Sequence, residues 1–574
     1  MSESNDSTDL THITSIDLIP PAFYAEELSL SSKTAEWIRT ERQIFLRNMK
    51  YVLAISVWTI IVYKDIYKAR FFLDDFLHLH LVDKIDNPLL PYGTDIMMGA
   101  FFRPGVFWFW KINYLIGGLN PAWYYAFNIV LLIGILALVM QVMQHLTGNK
   151  GIAAFVTLSF AVSPITAQGV LWLSNRFDLL GTFFLLASVL LFLRFLRLKQ
   201  KRDISWSMAL GFFSFFCKEI TIVLPALLIL SGSFMYYYRG TLTRSILRRI
   251  VILSIPYFIA AAGFMMWRYA ILGTMGGYVG EQRVAFTWEY AYRLIASFGE
   301  YVWLFHTAIG LLLFVFVFSL FLLKRKILKR NLIWLYGLGF FIVSAAPLAM
   351  VVKVEKVMLF HTPRFFFLPG LGLAICLAAV YEPRAGRLRR ALAVCFIIAM
   401  TALSSINTYV VTRHARDQTI SAEQQMEKIH KFFVEEKQDF NNKPIIYACL
   451  RNLDIALDSS IKLMHPEYRS EAFILNCATQ TQIIAHQDLY KRRKEELEFP
   501  KTFTKNPNQF RDLIYGVVVT KPNDILSDIA LKKDHYALYA DQNGGLTWVT
   551  SEYLMQQMET MGLENKAGLD ETAS

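Results

Sequence analysis

The sequence predicts an α-helical polytopic membrane protein carrying a C-terminal soluble α/β domain, and three observations lead there. Of its 574 residues, 55% are hydrophobic and 15% aromatic. Several apolar runs reach about 18 residues or more with few charges, the length a helix needs to cross a bilayer. Lys and Arg gather in short clusters between those runs, while the last part of the chain is mixed and polar. These clusters also explain the formal net charge of +12, because they orient helices in a membrane. No nucleic-acid partner is implied.

Residues 1–48 are polar, and their first part is rich in Ser, Thr, Asp and Glu, which predicts a cytoplasmic N-terminal segment with a short helix over 34–48. The apolar run 51–63 follows Arg39, Arg42, Arg47 and Lys50 and lacks a small-residue cleavage site, so it reads as a signal anchor running outward. It is short, and Lys50, Lys64 and Lys68 are expected to snorkel to the headgroups. Directly after it come Asp74 and Asp75, emerging on the outer face. The aromatic stretch 107–119, with one Lys111, suits an amphipathic helix lying in the outer interface.

Crossings are expected at 121–144, 152–170 and 178–198, the last followed by a cytoplasmic cluster from Arg194 to Arg202. The apolar run 204–238 is interrupted by Lys218 and Glu219. Burying one charge at a helix centre costs about 2.5–3.5 kcal/mol, so two short spans meeting at the outer surface are expected. Further spans are expected near 250–272, 302–323, 332–352, 364–381 and 390–411. With the basic clusters inside, the total is about eleven transmembrane helices. That odd number puts residues 413–574 outside as an α/β domain, with a helical patch at 422–437 and strand-like runs at 444–450 and 513–519. The predicted domains are therefore 1–48, a transmembrane module at 49–412, and the extracytoplasmic domain at 413–574.

Of the five cysteines, Cys217, Cys376 and Cys395 fall in apolar segments. Cys449 and Cys477 fall in the exported part, where a disulfide between them is left open. No CxxC or HExxH spacing signals a protein-built metal site. Gly273, Gly276, Gly277 and Gly280 lack the strand-turn-helix context of a nucleotide fingerprint and read as loop residues.

This topology gathers Asp74, Asp75, Arg103, Asn175, Arg176, Asp178, Lys218, Glu219, Arg283, Lys353, His361 and Arg364 on one side. Carboxylates there can take a proton from a hydroxyl, and Arg or Lys can hold phosphate oxygens. A lipid or polysaccharide transporter without chemistry is the alternative, although its ionisable groups would more often lie near the midplane. Each candidate also has a purely structural reading. Asp74 and Asp75 suit a solvated acidic loop, Arg176 and Asp178 a pair at a helix start, Lys218 and Glu219 an interfacial turn, Arg364 an anchor for the next span, and His361 a loop histidine.

The segments FFLDDF (71–76), FFRPGVFWFWKINYLIGGLNPAWYYAFNIVLL (101–132), SPITAQGVLWLSNRFDLLGTFFLL (163–186), FCKEITIVLPALLI (216–229) and HTPRFFFLPGLG (361–372) occur in the order found in C-type (GT-C fold) integral-membrane glycosyltransferases. Over about residues 50–410 the chain resembles the branch holding the protein O-mannosyltransferases and the TPR-containing transmembrane O-mannosyltransferases. That resemblance implies inverting transfer of a sugar from a polyprenyl-phosphate carrier to a lipid, glycan or protein acceptor at the extracytoplasmic face of the plasma or inner membrane or the endoplasmic reticulum. It implies that Asp74 or Asp75 is the base, with Asp74 preferred, and that Arg176, Lys218 and Arg364, followed by Arg103, hold the donor phosphate, with Glu219 and His361 as further substrate-binding candidates. A divalent cation remains open as a helper. The TPR array is absent here, and His361 stands where relatives often carry an acid.

Overall fold

Inside a bilayer each backbone N–H and C=O has to find its partner within the protein, which a helix achieves in one segment. The computed structural model follows that rule. It describes residues 46, 48–72, 74–87, 89–93, 102–273, 329–350, 363–379 and 387–436, with residue 463 and five strands in the tail. The helices are α1 (Asn48–Val62), α2 (Asp74–Lys84), α3 (Leu90–Gly93), α4 (Pro104–Gly117), α5 (Pro121–Thr147), α6 (Lys150–Ala161), α7 (Pro164–Leu171), α8 (Arg176–Leu198), α9 (Lys201–Phe215), α10 (Leu224–Tyr238), α11 (Arg244–Leu272), α12 (Lys329–Ala345), α13 (Phe367–Ala378) and α14 (Arg387–Glu436).

Among the described residues, five helical segments are long and apolar enough to cross a membrane: Pro121–Thr147, Leu173–Leu198, Glu219–Tyr238, Arg244–Leu272 and Val394–Gln424. The bent pair α6–α7 is a sixth if taken as one span, and Asn48–Val62, Leu332–Leu348 and Phe367–Ala378 are shorter apolar helices. The total of about eleven crossings is not established by these helices, and the span expected at 302–323 lies outside the described residues. Ile259 and Met266 of α11 and Leu53 of α1 are exposed, as suits surfaces whose solvent is lipid.

Local chemistry sets the breaks. Asn120 accepts from the Ala122 N–H at the start of α5, Pro121 occupies the first turn, and Gly148, with φ of 68°, ends the helix. Asn149 then caps α6. The expected straight crossing at 152–170 is instead bent by 55°. Ser163 caps a new helix there, with Pro164 in its first turn, and the Thr408 hydroxyl of α14 donates to the Val162 carbonyl at 2.6 Å. Pro164 cannot donate to the Phe160 carbonyl four residues back, so the backbone turns there, and a neighbouring helix satisfies the Val162 carbonyl at the bend.

α4 has 14 residues, too short to cross. Trp110, Phe107 and Val106 face the bundle while Leu115 and Ile116 are exposed, in keeping with the amphipathic helix expected there. The interruption at Lys218 and Glu219 appears as expected between α9 and α10, with a 3-10 turn over Glu219–Val223. Two glycines let other elements close on this turn. A Cβ on Gly181 of α8 would lie 3.1 Å from Lys218 Cβ, and one on Gly105 of α4 would lie 3.1 Å from the Phe216 carbonyl oxygen. That same oxygen accepts the Gly105 N–H at 3.0 Å.

α14 runs for 50 residues, straight through the boundary placed at residue 412, so the apolar span and the helical patch at 422–437 are one helix up to Glu436. It also braces the segment leading to the acid pair. Arg70 bonds Glu423 at 2.7 Å, the Arg70 N–H donates to Thr419, and Arg416 faces Asp65 at 3.4 Å. In the tail, β1 (Ile445–Ala448), β2 (Ala472–Leu475), β3 (Val517–Val519), β4 (Tyr536–Ala540) and β5 (Leu546–Val549) form a sheet of order β3-β2-β1-β4-β5. The first four are parallel in register and β5 runs antiparallel to β4. β1 and β3 fall in the two runs read as strands. Cys449 and Cys477 lie outside the described residues.

Candidate functional site

Asp74 and Asp75 open α2, where a helix N-terminus favours negative charge. Their environments differ. Asp74 is half-buried, whereas Asp75 is 0% exposed and accepts three hydrogen bonds. The Ser174 N–H donates to Oδ1 at 2.8 Å, the Ser174 hydroxyl to the same oxygen at 2.6 Å, and the Phe72 N–H to Oδ2 at 2.9 Å. Burial pushes the Asp75 carboxyl up to about 7, against the lowering effect of the Ser174 hydroxyl. Asp75 thus ties the start of α2 to the turn preceding α8.

One turn further along α2, His78 stacks on Trp110 of α4 at 5.0 Å and meets Phe177 of α8 edge-on at 5.2 Å. Burial lowers this imidazole to about 3, helped by the charges of Arg103 and Arg176, so the ring is neutral near physiological pH. The same two rings carry cations. Arg103 lies over Phe177 at 4.5 Å and Arg176 over Trp110 at 4.7 Å. Aromatic rings therefore connect α2, the helix that the acid pair opens, to Arg103 and Arg176.

The basic residues form one ion-paired layer. Arg103 holds Glu219 through Nε and Nη2, each 2.9 Å from Oε2. Arg268 of α11 reaches the other oxygen of Glu219 at 3.0 Å, and Lys218 bonds Asp178 of α8 at 2.7 Å. These described groups number three cations against two carboxylates. Lys218 is only 7% exposed. Two short spans were expected to meet here at the outer surface. At their junction Lys218 is covered while Glu219 is half-buried, and neighbouring charges compensate both, as a low-dielectric setting requires.

Arg176 and Asp178 do not pair with each other: Asp178 takes Lys218. The Arg176 side chain is 0% exposed. Its Nε donates to Asn128 at 2.9 Å and its Nη2 to the Tyr124 carbonyl at 3.1 Å, while buried Nη1 has no hydrogen-bond partner among the described residues. As folded, it reaches no open surface. Arg364 lies in the 3-10 turn Pro363–Phe366 just before α13, and the next residue, Phe365, has its ring 5.7 Å from Lys218 Nζ. His361, Arg283 and Lys353 lie outside the described residues. No group of three His, Cys, Asp or Glu side chains suited to a metal ion occurs among the described residues.

Reading the sequence alone missed Ser174, Asn128, Trp110, His78 and Arg268. Arg268 did carry a signal, since it is the lone cation in the apolar run 250–272, and an ionisable residue in such a run is a site candidate by default. Ser174 and Asn128 carry no such mark, because polar uncharged residues are common in membrane helices.

No protein-family model matches the chain, and no curated protein does. Among solved structures, it is similar to an oligosaccharyltransferase of Archaeoglobus fulgidus crystallised with zinc and sulfate, at 12% identity over 87% of this chain and 73% of that one, with a TM-score of 0.44. It is similar to ArnT of Cupriavidus metallidurans bound to undecaprenyl phosphate, at 10% identity over 86% and 94% of the two chains, with a TM-score of 0.43. It is also similar to the oligosaccharyltransferase AglB of Archaeoglobus fulgidus in complex with an inhibitory peptide and a dolichol-phosphate, at 10% identity over 88% and 74%, with a TM-score of 0.40.

Proposed function

We propose that this protein is an inverting glycosyltransferase of the membrane, taking a sugar from a polyprenyl-phosphate carrier and joining it to an acceptor hydroxyl on the extracytoplasmic face. One observation carries the reading: α2, the helix that the acid pair opens, sets His78 against Trp110 and Phe177, the rings that carry Arg176 and Arg103, and Arg103 enters the ion-paired layer of Glu219 and Arg268 beside Lys218 and Asp178 in an otherwise apolar bundle. Enclosing so many charges costs several kcal/mol, a cost that a site for an anionic substrate accounts for.

In the proposed step, the Asp74 carboxylate takes the proton of the acceptor hydroxyl. The acceptor oxygen forms a bond to the anomeric carbon as the bond from that carbon to the phosphate oxygen breaks on the opposite face. The leaving polyprenyl phosphate carries the electron pair, and Arg103, Lys218 and Arg268 stabilise its growing charge. Asp75 holds α2 in place through Ser174. Arg176 contributes from behind, by fixing the Trp110 and Tyr124 rings and by adding positive potential. Arg364 and His361 complete the donor side from the segment before α13. The organisation that goes with this mechanism places 1–48 in the cytoplasm, 49–412 in the membrane, and the sheet-bearing tail outside as an α/β acceptor-side domain.

The test is mass spectrometry of surface glycans and glycoproteins from cells with the wild-type protein, with the Asp74→Asn variant, and without the protein. The expected result is a sugar present only with the wild type. Identical glycans in all three would overturn the reading.

A further inference from the structure

α11 joins the layer around Glu219 to the far end of the bundle. Arg268 meets Glu219, and Arg244 begins the helix, roughly 36 Å away at 1.5 Å per residue. That span slightly exceeds the hydrocarbon core of about 30 Å, so Arg244 stands at headgroup height on the side opposite the acid pair. Here Arg244, Ser245, Arg248, Arg249, Ile252 and Leu253 line a cavity of about 690 Å³. Residues four apart share a helix face, so Arg248 stands above Ile252 and Arg249 above Leu253, charge next to hydrocarbon.

The arginines are exposed and, among the described residues, none is in a salt bridge. Lys199, near enough for Arg249 to act on its amine, is another cation. Burial, and after it Arg249, lowers the Lys199 amine from its usual range. Unlike the layer around Glu219, this cluster has no carboxylate paired to it among the described residues. Below it, the exposed side chains of Ile252, Ile255 and Ile259 continue along α11.

We propose that this face binds an anionic phospholipid of the leaflet opposite the acid pair, with its phosphate on Arg244, Arg248 and Arg249 and an acyl chain along Ile252, Ile255 and Ile259. Guanidinium forks match phosphate oxygens in pairs. The apolar ridge at acyl depth selects a lipid over a free phosphate, which would touch only the arginines. Near an anionic surface each such cation is worth roughly fivefold in affinity, so three amount to roughly a hundredfold.

The test uses the full-length protein in neutral detergent, mixed with phosphatidylglycerol, phosphatidylcholine or soluble glycerol phosphate, and reads retained ligand by native mass spectrometry and protection by thermal unfolding. The wild type should retain phosphatidylglycerol in preference to the other two. Arg244→Gln, Arg248→Gln and Arg249→Gln together should lose that retention roughly a hundredfold, and Arg248→Gln alone, the fallback if the triple variant does not fold, roughly fivefold. A control with Lys201→Gln and Arg202→Gln, exposed cations outside the cavity, should keep it. Undiminished retention in the arginine variants, an equal loss in the control, equal retention of phosphatidylcholine, or equal protection by glycerol phosphate would each overturn the proposal.

Discussion

Replacing Asp75 by Asn removes a titrating group whose proton uptake is linked to folding. In the folded protein burial holds this carboxyl near 7, against an ordinary value of 3.8. The folded state therefore binds more protons than the unfolded state between those values. With the folded value raised, the contribution to stability is fully present below pH 3.8 and is lost as pH rises through 7. Between pH 5 and pH 8 the linkage relation makes that loss about 2.5 kcal/mol. His78 acts in the opposite sense, since its folded value of about 3 lies below the ordinary 6.5, so its contribution is present above 6.5 and is lost as pH falls. It is common to both proteins and drops out of their difference. Asp75→Asn also sets an amide N–H toward the Phe72 N–H or toward Ser174, a fixed cost of about 1–3 kcal/mol. The assay is thermal unfolding of both purified proteins, followed by tryptophan fluorescence over this pH range. The gap between wild type and variant should narrow by about 2.5 kcal/mol as pH rises from 5 to 8. A gap that stays constant or widens would refute the reasoning.

Three further outcomes are expected. Asp74→Asn keeps the shape and some hydrogen bonding but removes the basic oxygen, so transfer in a reconstituted assay should fall about 100- to 10,000-fold with expression and donor binding near normal; wild-type turnover would move the base elsewhere. Lys218→Met alone should cost about 3–5 kcal/mol by stranding Asp178. Adding Asp178→Leu should restore the melting temperature but not turnover, and recovery of both would reduce Lys218 to a structural role. A single cysteine at position 450, in a variant with the native cysteines replaced, should react with a membrane-impermeant reagent in intact cells, or in sealed right-side-out vesicles if the membrane is intracellular; protection there would overturn the proposed outward orientation of the tail.

Much of the helical layout was legible in the sequence because bilayer insertion depends on local composition. The apolar runs at 121–144, 178–198 and 250–272 correspond to α5, α8 and α11, and the break at Lys218 and Glu219 followed from the cost of burying charge. The bend at Ser163 was less visible. The residues on both sides are apolar, and a single Ser-Pro step is tolerated in many membrane helices. α14 runs unbroken from Arg387 to Glu436, past the end of its apolar stretch, because a helix continues through a change of polarity when both halves favour helical backbone.

By itself the sequence determined which segments prefer lipid, that the apolar run 204–238 breaks at Lys218 and Glu219, and that an acid pair follows the first apolar run. Those properties depend on residues close together along the chain. Only the tertiary structure decided who meets whom. Asp75 takes Ser174, 99 positions away, Arg103 takes Glu219, 116 positions away, and Arg268 completes that pair while Arg176 is withdrawn behind aromatic rings. Such choices turn on how the rings and glycines of α4 and α8 let the Lys218 turn approach. A buried charge takes whichever partner the packing brings within about 3 Å, and one-dimensional patterning carries no record of that distance.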